Sequence, residues 1–132
     1  MSEQSNIAVV QDLYASLGKA DMAHVQQELL HDQAAVQVPG QHPHAGTHRG
    51  SKNAVEFFTK MRGASSEMSL EPQTIAAAGD QVMALVQVRG QRKGKNKTID
   101  TRDVHVFTVS NGKITQFRSF HGDQNATDDY LS

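Results

Sequence analysis

The sequence predicts an α+β fold in which a strongly curved antiparallel β-sheet forms a cone around three N-terminal helices and encloses a pocket. That expectation rests on three observations. Apolar residues recur at helical spacing as far as Met61, the period drops to two from Met68 onward, and turn formers at "GD", "KGKN" and "SNGK" divide the second half into hairpins. Helices first and hairpin-linked strands afterwards put the helices on one face of a sheet. A chain of 132 residues is long enough for one domain with its own hydrophobic core.

Ile7, Val10, Leu13, Tyr14 and Leu17 share one helical face and Gly18 follows as a stop, which predicts a first helix over residues 5–17. Asp21 is suited to cap a shorter second helix carrying Met22, Val25 and Leu29. "AAVQVPG" alternates as a strand until Pro39-Gly40 ends it, and "QHPHAGTHRG", rich in turn formers, reads as a loop. Ser51 is the expected cap of a third helix, in which Val55, Phe58 and Met61 or Arg62 define one side with Phe57 beside it. In "MSLEPQTIAAAG", Pro72 lacks a ladder donor and so places this strand at an edge or a bulge. "QVMALVQVRG", "KTIDTRDVHVFTV" and "ITQFRSFHG" are the strands that follow, the last two joined by an Asn-Gly hairpin signal. Ordered structure is expected over residues 5–122, and the tail 123–132, with Asp128 and Asp129 and little to bury, is expected to fray. A bulge near Pro72 bends such a sheet into a cone, leaving room for a ligand beneath the helices.

Composition narrows the function classes. With 37% hydrophobic and 20% charged residues the chain is globular, and no apolar run approaches the roughly 20 residues of a bilayer helix. A formal net charge of -1 argues against a dedicated nucleic-acid binder. Without cysteine there is neither disulfide nor thiolate chemistry. "MSEQSNIAVVQ" carries no basic n-region and no cleavable apolar stretch, so cytoplasm is the expected location.

The segment richest in chemistry is "TRDVHVF". At strand period, Thr101, Asp103, His105 and Phe107 share one face, while Arg102, Val104 and Val106 share the other. If the valine face is the core, Asp103 and His105 are solvated surface. If the other face is covered, a carboxylate and an imidazole sit together where water is scarce, and each perturbs the other's protonation.

Four stretches, "LYASLGKAD", "VQVPGQHPHAGTHRG", "GDQVMALVQV" and "RDVHVFTVSNGKITQF", resemble in order and spacing the SnoaL-like polyketide cyclase branch of the nuclear-transport-factor-2-like superfamily, which has the ketosteroid-isomerase-like fold. The resemblance runs from about Ile7 to His121 and implies one SnoaL-like domain over residues 1–132. That fold hosts cyclases, isomerases, dehydratases, epoxide hydrolases and non-catalytic binders, so it does not by itself name a reaction. It implies that Thr101, Asp103, His105 and Phe107 face into the cone. Asp103 stands where ketosteroid isomerases carry a protonated aspartic acid and where SnoaL-type cyclases carry their acid/base. Three positions depart from related enzymes: Val38 replaces the isomerase base, Leu13 aligns with the isomerase tyrosine and leaves Tyr14 adjacent, and Ser119 replaces a second aspartate of epoxide hydrolases.

By the same resemblance Phe117, Ser119 and His121 of the last strand face inward. The expected catalytic group is therefore Asp103, His105 and His121. The expected wall for a small apolar organic ligand is Tyr14, Val38, Phe58, Val86, Val88, Ile99, Thr101, Phe107, Phe117 and Ser119. Asp103 is the expected proton carrier to a carbonyl, enol or hydroxyl, tuned by His105 or His121, with no cofactor and no metal. Three readings stay open: acid-base catalysis of the cyclase, isomerase or dehydratase kind, a ligand-binding protein in which these polar groups satisfy one another, or a protein-association module. His42, His44 and His48 in "HPHAGTH" lack a carboxylate or cysteine to complete a metal set and read as solvated loop residues, and His24 and His31 read as surface. The basic stretch holding Arg89, Arg92, Lys93, Lys95 and Lys97 reads as a solubilising hairpin tip. Val104, Val106 and Phe120 on the reverse face of the sheet predict a homodimer joined through the sheets.

Overall fold

The computed structural model describes residues 2–132. Helix α1 (Glu3–Gly18) begins at Ser2, whose hydroxyl accepts from the Ser5 amide, and turns Val10, Leu13 and Tyr14 inward. Asp21 caps α2 (Met22–His24) by accepting from the His24 amide, and the chain continues as a π-helical turn (Val25–Leu29) that buries Val25 and Leu29. Strand β1 (Leu30–Val38) follows. The histidine-rich stretch after it is not wholly loop: β2 (Gly46–Arg49) pairs antiparallel with β1. Helix α3 (Ser51–Gly63) is capped by Gly50 at φ 88 rather than by Ser51, which already lies in the helix, and it buries Ala54, Phe57 and Phe58.

Four long strands then build the sheet: β3 (Ser65–Ala78), β4 (Gln81–Arg92), β5 (Thr98–Ser110) and β6 (Lys113–Phe120). The strand order is β2-β1-β6-β5-β4-β3, so the sheet is unclosed, with β3 at one edge. Pro72 lies on that edge, beside a register shift between Pro72 and Thr74 that bends the strand, as its missing donor requires. One pairing departs from the antiparallel expectation: β1 runs parallel to β6, with Val36 opposite Phe117. Hairpin signals report only neighbours in sequence, and this contact joins the two ends of the chain.

The tail does not fray. Asp123 caps helix α4 (Gln124–Leu131) by accepting from the Ala126 amide, and Thr127, Tyr130 and Leu131 are buried. The Tyr130 hydroxyl meets that of Ser65 over Gly90, where any Cβ would collide with it. The basic hairpin completes the docking. Lys97 Nζ donates to the Asp129 carbonyl and the Ser132 hydroxyl, both at 2.8 Å, and Lys95 Nζ to the Ser132 carbonyl at 2.8 Å. Cations thus meet the carbonyl end of a helix, where its dipole favours them.

Candidate functional site

Strand β5 answers the question raised by "TRDVHVF". Asp103 is 4% exposed and His105 5%, whereas Val104 on the opposite face is 38% exposed. The β5–β6 register sets His105 opposite Ser119 and Val104 opposite Phe120, which brings the next inward pair, Asp103 and His121, side by side. His121 Nδ1 donates to Asp103 Oδ2 at 2.8 Å, and the Gly122 amide donates to Oδ1 at 3.2 Å. Gly122 is needed there because a Cβ would run into the Arg102 carbonyl and the Thr101 hydroxyl. His121 Nε2 is buried and has no hydrogen-bond partner.

A second polar pair lies along the same face. The Tyr14 hydroxyl is 2.7 Å from His105 Nδ1, and the two rings stack with centroids 5.9 Å apart. Phe117 approaches the His105 ring to 4.8 Å, and Phe107 meets Phe117 edge-on at 5.0 Å. Burial pushes His105 down to about 4, with the Asp103 carboxylate pulling the other way and His121 adding to the depression. His105 is therefore neutral throughout the physiological range. Burial, with the charge of Asp103, also raises the Tyr14 phenol, which stays protonated.

Both pairs open on a cavity of ≈ 150 Å³ between helices and sheet. An apolar cavity of about that size holds a molecule as large as benzene.

The family model for the SnoaL-like domain matches residues 10–117. The chain belongs to the SnoaL-like family. An uncharacterised protein of Mycobacterium tuberculosis, Rv0034, is 29% identical over 132 residues, covering 98% of each chain. A nuclear-transport-factor-2-like (NTF2-like) protein of Burkholderia xenovorans is 28% identical with a TM-score of 0.88, covering 100% of this chain and 99% of that one. Bal32a, from a soil-derived mobile gene cassette, shares the fold at a TM-score of 0.91 and 23% identity over 98% of both chains.

Within this SnoaL-like fold the expected site residues fall into two layers. Tyr14, Val38, Phe58, Val88, Ile99, Thr101, Phe117 and Ser119 line the cavity together with Asp103, His105 and His121. Val86 and Phe107 do not. They are fully buried behind the wall, Val86 opposite Asp103 in the β4–β5 register and Phe107 edge-on to Tyr14 at 6.0 Å. Strand alternation identifies a face, and it carries no information on which residues of that face are covered by their neighbours.

The wall also contains residues absent from the expectation. Leu17, Met22, Phe57, Met61 and Arg62 come from the first three helices, Met68 and Leu70 from β3, and Thr127, Tyr130 and Leu131 from α4. The signal for α4 was present: Asp123 precedes Ala126, Thr127, Tyr130 and Leu131, a cap followed by helical spacing.

Among the loop histidines, His42 is buried rather than solvated. Its Nδ1 accepts from the His44 amide at 3.2 Å, its Nε2 has no partner, and burial lowers its pKa. His48 Nε2 donates to the His44 carbonyl at 2.9 Å. His31 is exposed, but His24 is half-buried and paired with Asp12. No group of three or more metal-ligating side chains stands together among the described residues.

Proposed function

We propose that this protein binds a small apolar organic molecule bearing a carbonyl or hydroxyl oxygen and moves a proton on it, as a cyclase, isomerase or dehydratase does. The observation that carries this reading is the Asp103–His121 hydrogen bond, 2.8 Å long and buried on the wall of an apolar cavity. Both Asp103 oxygens are engaged, Oδ2 by His121 and Oδ1 by the Gly122 amide. Asp103 therefore serves to orient His121 and to balance its charge. The proton carrier is His121 Nε2, the nitrogen left without a protein partner. This reading moves the proton from the carboxylate, where the family resemblance places it, to the imidazole that the carboxylate holds.

The test is hydrogen exchange at the carbon next to the carbonyl of acetophenone in heavy water. Wild type is expected to accelerate it, and His121→Gln to lose roughly 100-fold or more of that acceleration. An unchanged rate in His121→Gln sinks the assignment.

A binder without chemistry is the second reading, favoured by the mutual satisfaction of Asp103, His121 and Gly122. Tight binding of acetophenone with no exchange in wild type selects it. In either case we infer a homodimer through the exposed reverse face of the sheet, where Met83, Val104 and Phe120 stand clear of the core. Sedimentation as a monomer at micromolar concentration contradicts that arrangement.

A further inference from the structure

We propose that His105 is the group that holds the substrate's oxygen, donating its Nε2–H to a carbonyl that becomes an enolate, and that Tyr14 is the positioning residue that fixes this tautomer. The inference rests on the ligand-pocket reading above and assigns the second polar pair of the same cavity.

The direction of the Tyr14–His105 hydrogen bond decides the chemistry. A phenol is the more acidic donor and a neutral imidazole nitrogen the better acceptor, so O–H···N is the favoured sense at 2.7 Å. The reverse sense would leave the Tyr14 proton without an acceptor, because the tyrosine makes no other side-chain hydrogen bond among the described residues, and a buried unmet donor is costly. Nδ1 is thus the acceptor, and the ring proton lies on Nε2.

That Nε2–H has no protein acceptor among the described residues. His105 lines the cavity, and its Nε2 is not among the buried polar atoms enclosed by the protein. What remains for it is an oxygen of the bound molecule. Burial keeps His105 neutral, so the ring donates a hydrogen bond without giving up its proton. A neutral imidazole in this role stabilises developing charge on oxygen from a site that needs no reorganisation.

The two histidines are spaced for one substrate. His105 pairs with Ser119, so His121 is its diagonal neighbour across β5 and β6, with backbones about 7–8 Å apart. A carbonyl oxygen on His105 Nε2 then leaves the adjacent carbon turned toward His121 Nε2. In the step itself His121 Nε2 takes the proton from that carbon, the C–H electron pair becomes the C=C bond, and the C=O π pair moves onto the oxygen held by His105. Imidazolium at His121 is balanced by the Asp103 carboxylate; return of the proton to the same carbon gives exchange alone, and where a C=C adjoins that carbon, return to the far carbon of the C=C completes an isomerisation with no further reactant. The substrate class is a ring-sized ketone or enone with an acidic C–H beside its carbonyl.

Acetophenone and its isostere α-methylstyrene test this, the second having the same shape and no acceptor. The carbonyl stretching frequency of bound acetophenone is expected to be lower in wild type than in His105→Ala. The affinity ratio of ketone to hydrocarbon should fall roughly tenfold in that variant, the worth of one hydrogen bond. His121→Gln should keep the lowered frequency while losing exchange, which separates the two assignments. Equal frequencies in wild type and His105→Ala overturn the role of His105 and leave the base in place. A lowered frequency without exchange in wild type overturns the base and leaves His105 in place. Should His105→Ala not fold, Tyr14→Phe with nitrogen NMR of the His105 ring decides: Nε2–H in wild type, giving way to mixed tautomers in the variant, is expected, and Nδ1–H in wild type overturns the proposal. Failure of both compounds to bind overturns the pocket and this inference with it.

Discussion

The protein contains two histidine–aspartate pairs of nearly equal length in very different places. His24 Nε2 lies 3.0 Å from Asp12, with side chains 35% and 45% exposed; His121 Nδ1 lies 2.8 Å from Asp103, with side chains 8% and 5% exposed. At the surface both partners keep water, and the pair is screened by salt and weak. On the cavity wall neither can recover its hydration, so each depends on the other. The other nitrogen of the imidazole is left buried in that wall without a hydrogen-bond partner. The geometry of the contact is shared, and what separates a tether between helices from a candidate reaction centre is the apolar wall around it.

Removing one partner breaks this comparison hardest at the buried pair. Asp103→Ala strands His121 and the Gly122 amide and should cost about 3 kcal/mol in urea denaturation, along with the exchange activity. Next is Gly122→Ala, in which the new methyl must displace the Arg102 carbonyl and carry the amide off Asp103. A loss of roughly 1–3 kcal/mol and slower exchange are expected, from the same two assays.

Acidification sharpens the contrast, because the surface and interior histidines respond with opposite signs. His105 titrates at about 4 folded against 6.5 when free, so the unfolded chain takes up the proton first and stability falls as pH drops from about 6.5 toward 4. His42 and His44, also lowered by burial, add to that fall. His24 is raised chiefly by its hydrogen bond to Asp12, so its contribution is present at low pH and fades as pH rises through the raised value. Unfolding free energies from urea denaturation at pH 7 and pH 5 should differ by on the order of 2 kcal/mol more in wild type than in His105→Gln.

A smaller effect is expected at the helix that closes the cavity. Tyr130→Phe removes the bond to Ser65 and should cost about 1 kcal/mol, with faster amide exchange in α4. Smallest is Asp12→Asn, which should move the midpoint little at low salt and not measurably at high salt.

Much of the site was legible because strand alternation is a local property. The inward face of "TRDVHVF" could be stated as one of two choices from seven residues, and the resemblance selected between them. Tyr14 was visible as a helix-face residue, but its bond to His105 joins α1 to β5 and has no local signal. Gly122 was likewise opaque: its role comes from the closeness of the Arg102 carbonyl on the neighbouring strand. Helix α4 was missed because its two aspartates suggested a solvated tail, while the residues that hold it down, Lys95 and Lys97, had been read only as a charged hairpin tip.

The parallel contact of β1 with β6 bears on how the molecule assembles. Val36 and Phe117 come from opposite halves of the chain, and β6 carries Ser119 and leads directly into His121. Pairings so distant in sequence form slowly because a long loop must be closed first. During synthesis α1 to α3 and the β3–β4 hairpin are ready well before the last strand emerges, so the hollow spends its first moments as an open trough and gains the wall bearing Ser119 and His121 only at the final zippering.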